Sequence, residues 1–246
     1  MAIRVFKTVQ ELLEAMAGYF IATANEAISL SGEFNVVLSG GNSPRLLYSM
    51  LSSPDFKNKT DWEKINFFFG DERHVPPGDP RNNALMVTKY LFEPLHISAS
   101  KIFSIDTTLS PDEAANEYAK KIAAHFKGHK IQFDLILLGL GENAHTASLF
   151  PYTPVLADKS ASIKAVFLQP QYEYRITMTA AMINQSRHIA FLVYGQSKAE
   201  AVHHVLENER DVEKYPAQLI HSNDNNLHWY LDEAAASGLK KMLKTE

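Results

Sequence analysis

The 246-residue chain contains no cysteine. Disulfides, thiol catalysis and thiolate metal sites are thereby excluded, and a reducing compartment is the natural setting. Long apolar runs are also missing: none approaches the ~18 residues that read as a membrane span. The opening MAIRVFKTVQELLEAM interleaves Arg4, Lys7 and Glu11 with its apolar positions, unlike the unbroken apolar stretch of a signal peptide. A cytoplasmic protein is expected. There is no excess of positive charge: 24 Lys and Arg against 28 Asp and Glu leave a formal charge of -4. That balance argues against nucleic acid or an anionic membrane as partner, while a local basic pocket for a small anion remains compatible with it. Neither a fixed-period repeat nor a Gly-, Ser- or Pro-rich linker interrupts the chain. Composition is that of an ordinary globular protein, 46% hydrophobic and 21% charged, so one domain spanning residues 1–246 is expected, with no obligate protein partner evident.

What is present alternates between buried-strand and helix patterns. Thr8 and Glu11 form a capping box ahead of apolar positions at helical spacing from Val9 to Ala24. FNVVL (34–38), INFFFG (65–70) and FDLILLGLG (133–141) read as buried strands, and KIFSI (101–105) as a short one. After 34–38 the turn SGGNSP leads into a helix, with Ser43 as expected N-cap and Pro44 at its first position. Leu85, Met86, Tyr90 and Leu91 are in helical phase, and Ser110, Pro111 and Glu113 announce a helix to about Phe126. Beyond Pro151 come shorter strands at 162–168 and 174–178, then HIAFLVYG (188–195). A helix capped by Ser197 and running to about Glu209 follows, with LHWYLD (227–232) and an Ala-rich helix at the end. Continuous apolar strands separated by helices predict an α/β fold with a mostly parallel sheet covered on both faces.

In such sheets ligands bind beyond the carboxyl ends of strands, which directs attention to four segments. In Ser39-Gly40-Gly41-Asn42-Ser43-Pro44 the glycines permit close backbone approach, and a helix start favours an anion. It is not a P-loop, since no G-K-[ST] follows. In Gly70-Asp71-Glu72-Arg73-His74 either acid is suited to proton transfer and Arg73 to phosphate. Taken alone, that segment also fits a salt-bridged surface loop. His145 lies in the loop after 133–141 and is suited to act as a base near neutral pH. Lys198 and Arg175, if they converge with SGGNS, would complete a phosphate pocket. No H-E-x-x-H or comparable metal-ligand cluster occurs, so no metal and no cofactor are expected.

The loop LGLGENAHTASLFP (138–151) first fits a dinucleotide-binding turn, because Gly139, Gly141 and Ala144 match G-x-G-x-x-A. That motif must open a helix of several turns and be followed by an acid ending the next strand. Here Pro151 and Pro154 interrupt any such helix, and Asp158 precedes the next strand. The loop therefore reads as the carrier of His145.

Taken in order, VLSGGNSPRLLYSML, FFFGDERHVPPGDPRNN, FDLILLGLGENAHTASLFP, YRITMT and GQSKAEAV resemble the 6-phosphogluconolactonase family over nearly the whole chain. The resemblance implies a Rossmann-like three-layer αβα sandwich, shared with glucosamine-6-phosphate deaminases and ribose-5-phosphate isomerases. It also implies hydrolysis of 6-phosphoglucono-δ-lactone in the oxidative pentose phosphate pathway, without metal or nucleotide. Carried over by position, Gly40, Gly41, Asn42 and Ser43 with Arg73 and Lys198 would hold phosphate, Arg175 would lie nearby, and His145 would be catalytic. Two departures stand out. The family's D-G-H is Asn143-Ala144-His145 here, and Asn82 replaces the serine of D-x-x-S-N. Asn143 and amides near Gly141 are candidates to orient His145 or hold an oxyanion; with the aspartate lost, either activity falls below the family's or another acid such as Asp71 or Glu142 compensates. Ala144 suggests a loop that needs no left-handed backbone. A deaminase-like enzyme, which would place a glutamate where Phe150 stands, and a non-catalytic sugar-phosphate sensor are the alternatives.

Overall fold

The computed structural model describes residues 1–169, 172–222 and 226–240. In chain order the elements are β1 (Ala2–Phe6), α1 (Val9–Ser31), β2 (Phe34–Leu38), α2 (Asn42–Leu51), β3 (Ile65–Phe69), β4 (Asp71–Arg73) and α3 (Asn83–Val87). There follow β5 (Ile102–Phe103), α4 (Pro111–His125), β6 (Leu135–Leu138), β7 (Ile163–Leu168), β8 (Glu173–Met178) and α5 (Ala180–Ile183). The last are β9 (His188–Val193), α6 (Ala199–Leu206), β10 (Leu227–Asp232) and α7 (Glu233–Ala236). Among the described residues no helix is long and apolar enough to cross a membrane.

Seven strands form one parallel sheet in the order β1-β10-β9-β6-β2-β3-β5. Every residue of β2, β3 and β6 is buried. Because successive side chains point to opposite faces, such strands require cover on both sides, which the flanking helices provide. The capping signals are realised. Thr8 and Glu11 bond reciprocally at the start of α1, which ends on Gly32 in the left-handed region, and Ser110, Pro111 and Glu113 open α4 as their sequence indicates.

Four local readings are corrected. The N-terminal segment is itself an edge strand: β1 pairs with β10, but three of its side chains are half-buried and two exposed, so it lacks the apolar signature of the interior strands. Segments 162–168 and 174–178 lie outside the parallel sheet and form, with β4, a separate antiparallel sheet β4-β8-β7. Their charged positions Lys164, Glu173 and Arg175 suit a sheet with a wet face. The helix start after SGG comes earlier than expected, with Gly41 at the N-cap and Asn42 first in α2; Ser43 makes no cap. Ser197 is no cap either: residues 196–198 form a single 3-10 turn and α6 stops at Leu206.

Gly70 joins the two sheets. Its amide donates to the Leu38 carbonyl at the end of β2, and its carbonyl accepts from Met178 of β8. Two buried tyrosines fix the neighbouring strand ends. Tyr48 Oη accepts from the Ser39 amide (3.0 Å) and donates to the Ser39 carbonyl (2.8 Å); Tyr118 Oη does the same for Phe69 (2.7 and 3.0 Å). Burial pushes both phenols far above the ordinary range, so they stay protonated and able to donate. Replacing Tyr118 by Phe strands one buried amide and one buried carbonyl, so Tyr118→Phe should cost about 1–3 kcal/mol. Equilibrium denaturation checks this; an unchanged midpoint would contradict it.

Candidate active site

From β2 the chain proceeds to β3 on one side, while β6 lies on the other. The order of strands reverses between β2 and β6, and at such a switch point the loops leave in opposite directions and open a crevice. Ser39 Oγ donates to the Leu137 carbonyl (2.7 Å), locking the two strand ends together beneath it. Above them is a cavity of about 430 Å³. Gly40, Gly41, Asn42, Ser43, Asp71, Arg73, His145, Arg175 and Lys198, contributed by loops and strands distant in sequence, all line it. Asn143 does not; it stands behind His145.

The imidazole is held on three sides. Asn143 Oδ1 lies 2.5 Å from His145 Nδ1 and 3.4 Å from the His145 backbone nitrogen. A backbone N–H only donates, so the amide presents oxygen here and the ring hydrogen sits on Nδ1, leaving the Nε2 lone pair free. Phe150 stacks on the ring at 3.9 Å between centroids and 16° between planes. Gly141 forms the third side, where a Cβ would stand 2.0 Å from His145 Nδ1. This glycine is required by close approach. At Gly40 the same holds, since a Cβ would lie 1.8 Å from Asn83 Oδ1.

One expectation for the loop is overturned and two are narrowed. Ala144 does adopt the left-handed region, at φ 60, because the turn reverses the chain tightly enough for its amide to reach the Gly141 carbonyl (2.9 Å). The Gly141 amide is not available to an oxyanion, being bonded to the His145 carbonyl (2.8 Å). Nor does Asp71 or Glu142 replace the family's aspartate. Asp71 Oδ2 accepts from Ser148 Oγ (2.6 Å), Glu142 lies on the cavity wall, and the Asn143 amide itself orients the ring. Glu72, weighed beside Asp71 for proton transfer, faces away and is 1% exposed. It accepts from the amides of Arg73, Asn83 and Ala84 and so caps α3; burial pushes it up to about 7 against those donors.

Register forces positive charge together. Arg73 of β4 lies directly opposite Arg175 of β8, an arrangement that is unfavourable unless an anion intervenes. Arg175 is paired with Glu173. Arg73 Nη1 donates only to the Arg81 carbonyl, its Nε is buried without a partner, and neither Arg73 nor Lys198 has a carboxylate partner among the described residues. The imidazole registers this field: His145 falls from its ordinary 6.5 to about 4, first through burial, then through Arg175, Lys198 and Arg73. The site thus holds a neutral base beside uncompensated cations, an arrangement suited to a dianionic substrate. Among the described residues no group of three or more His, Asp or Glu is placed to hold a metal.

The chain and its fold match a known set of proteins. A family model described as glucosamine-6-phosphate isomerases/6-phosphogluconolactonase matches residues 7–229. The chain belongs to this family. It is 36% identical to a 6-phosphogluconolactonase of Synechocystis sp., covering 94% of this chain and 95% of the relative. The crystal structure of a devB protein superposes with a TM-score of 0.88 at 30% identity, covering 97% and 99% of the two chains. A monomeric glucosamine-6-phosphate deaminase superposes with a TM-score of 0.82 at 22% identity, covering 97% and 100%. That last likeness shows the fold alone, so the family's shared architecture does not choose between its chemistries.

Sequence reasoning missed Phe150 as a partner of His145, although the two lie in one short loop, and missed the glycine at 141 as a steric requirement. The Ala144 conformation is directly testable. An L residue in the left-handed region costs roughly 1–2 kcal/mol, while Ala144→Gly gives up a buried methyl worth about 0.8 kcal/mol and gains unfolded-state entropy of similar size. The substitution should leave stability within about 1 kcal/mol of wild type, whereas the β-branched Ala144→Val should lose on the order of 1–3 kcal/mol. Denaturant midpoints of the two variants check the ordering; equal losses would contradict it.

Proposed function

We propose that this protein hydrolyses 6-phosphoglucono-δ-lactone to 6-phosphogluconate, the lactone-opening step of the oxidative pentose phosphate pathway. The observation that carries the reading is the neutral His145, its Nδ1 hydrogen fixed by Asn143, in one cavity with the unpaired cations Arg73 and Lys198. Relatives from Synechocystis sp. and Haemophilus influenzae named 6-phosphogluconolactonase support the same substrate.

A lactone is an activated ester, so a base for water and orientation of the carbonyl suffice, and no covalent nucleophile is needed. Water loses a proton to His145 Nε2 as its oxygen bonds to C1. The tetrahedral oxyanion then collapses, the bond from C1 to the ring oxygen breaks, and the imidazolium returns its proton to that oxygen. Arg73, Lys198 and the Gly40–Ser43 loop hold the distant phosphate and convert its binding energy into alignment of C1. Arg175, paired with Glu173, flanks the site and stands 5.9 Å from the far ring of the stack, Phe150. Asn143 does the orienting work of an aspartate but, being neutral, stabilises the imidazolium less. Against a deaminase stands Phe150: the aromatic ring packed on His145 offers no proton to open an amino sugar.

Lactone hydrolysis measured beside the spontaneous rate tests the proposal. His145→Ala should lower kcat by ~10²-fold or more, and Lys198→Ala should raise KM roughly tenfold with a smaller effect on kcat. Wild-type protein that binds 6-phosphogluconate without accelerating hydrolysis would instead support a sugar-phosphate sensor.

A further inference from the structure

Behind the phosphate-binding loop is a second hollow of about 400 Å³ that the proposed reaction does not use. Gly41, Asn42, Arg73 and Asn83 form a wall common to both hollows. On the far side are Arg45 of α2 and Lys89 and Tyr90 of the turn that continues α3.

Its charge is one-sided. Arg81 is neutralised by Asp79 and Glu173, which uses up the carboxylates at that rim. Arg45 and Lys89 have no carboxylate partner among the described residues. Arg45 reaches only Tyr90, with Nη1 3.4 Å from the phenol oxygen and the guanidinium 5.3 Å from the ring centre. Lys89 Nζ lies 5.5 Å from the same ring. Arg45 Nε and Arg73 Nε are both buried with no acceptor among the described residues. Nitrogens so enclosed are out of a ligand's reach, so the donors the hollow offers a phosphate oxygen are the guanidinium Nη groups of Arg45 and Arg73 and Lys89 Nζ, which meet no carboxylate among the described residues. The Tyr90 hydroxyl is drawn below its usual range by the Arg45 hydrogen bond and then by Lys89, which agrees with a positive field there.

We propose that this hollow is a second phosphate subsite, formed by Arg45, Lys89 and the outward side of Arg73, separate from the cavity that contains His145. It takes inorganic phosphate as an independent small ligand while the first cavity is filled. The inference goes beyond lactone hydrolysis and rests on that reading only in using 6-phosphogluconate to fill the first cavity.

Calorimetry at low ionic strength, on protein saturated with 6-phosphogluconate, tests it with inorganic phosphate as probe. Wild type should bind one further phosphate. Arg45→Gln/Lys89→Gln should weaken that binding about tenfold or more, with 6-phosphogluconate affinity, lactone KM and thermal midpoint unchanged, and Arg45→Lys should retain part of it. No additional phosphate on saturated wild type overturns it, as does equal binding by the double variant. Should 6-phosphogluconate itself fail to bind, the catalytic assignment falls, and phosphate titration of wild type against the double variant still decides the second subsite.

Discussion

One electrostatic constraint organises the site: cations placed by strand register and a helix start act on a single imidazole in a half-enclosed cavity. Arg73 and Arg175 face each other because β4 and β8 pair residue for residue, and Lys198 is brought in at the end of the turn after β9. Their field, added to burial, keeps His145 neutral and makes it a weak base in the free protein. A bound phosphate dianion cancels part of that field. On the proposed function, substrate binding would therefore raise the basicity of His145, and the charge that lowers the base would also select the ligand.

The rest of the fold serves to hold these parts still. The switch point between β2 and β6 opens the cavity, Ser39 Oγ ties the two strand ends together, and Tyr48 and Tyr118 satisfy backbone groups just where the ladder runs out. Gly40 and Gly141 let Asn83 and His145 pack against bare backbone. Such contacts leave no room for a methyl group, so the sequence is constrained at positions that perform no chemistry.

Much of this was legible in the residues. Interior strands 34–38, 65–69 and 135–138 announced themselves because burial on both faces demands unbroken apolar runs, and the capping boxes at Thr8 and Ser110 marked helix starts through local bonds that need no tertiary context. The SGGNS turn and His145, which line one cavity, could be located because the crevice of such a sheet opens beyond its strand ends. What stayed hidden depended on distant partners. The edge strand Ala2–Phe6 draws its stability from pairing with β10, not from its own pattern. The opposition of Arg73 and Arg175 follows from a register between segments a hundred residues apart. Ala144 misled for a different reason: a residue with a Cβ is not expected at φ 60, and the loop imposes that conformation through the bonds that close it on Gly141 and His145.

The titration of His145, followed by ring-nitrogen NMR in the free protein and with 6-phosphogluconate bound, tests the central claim most directly. Free protein should show an imidazole protonated at Nδ1 and not at Nε2, with a midpoint depressed to about 4, and the ligand should move that midpoint upward. A midpoint near the ordinary 6.5 in the free protein, or one that does not move on binding, would contradict the account.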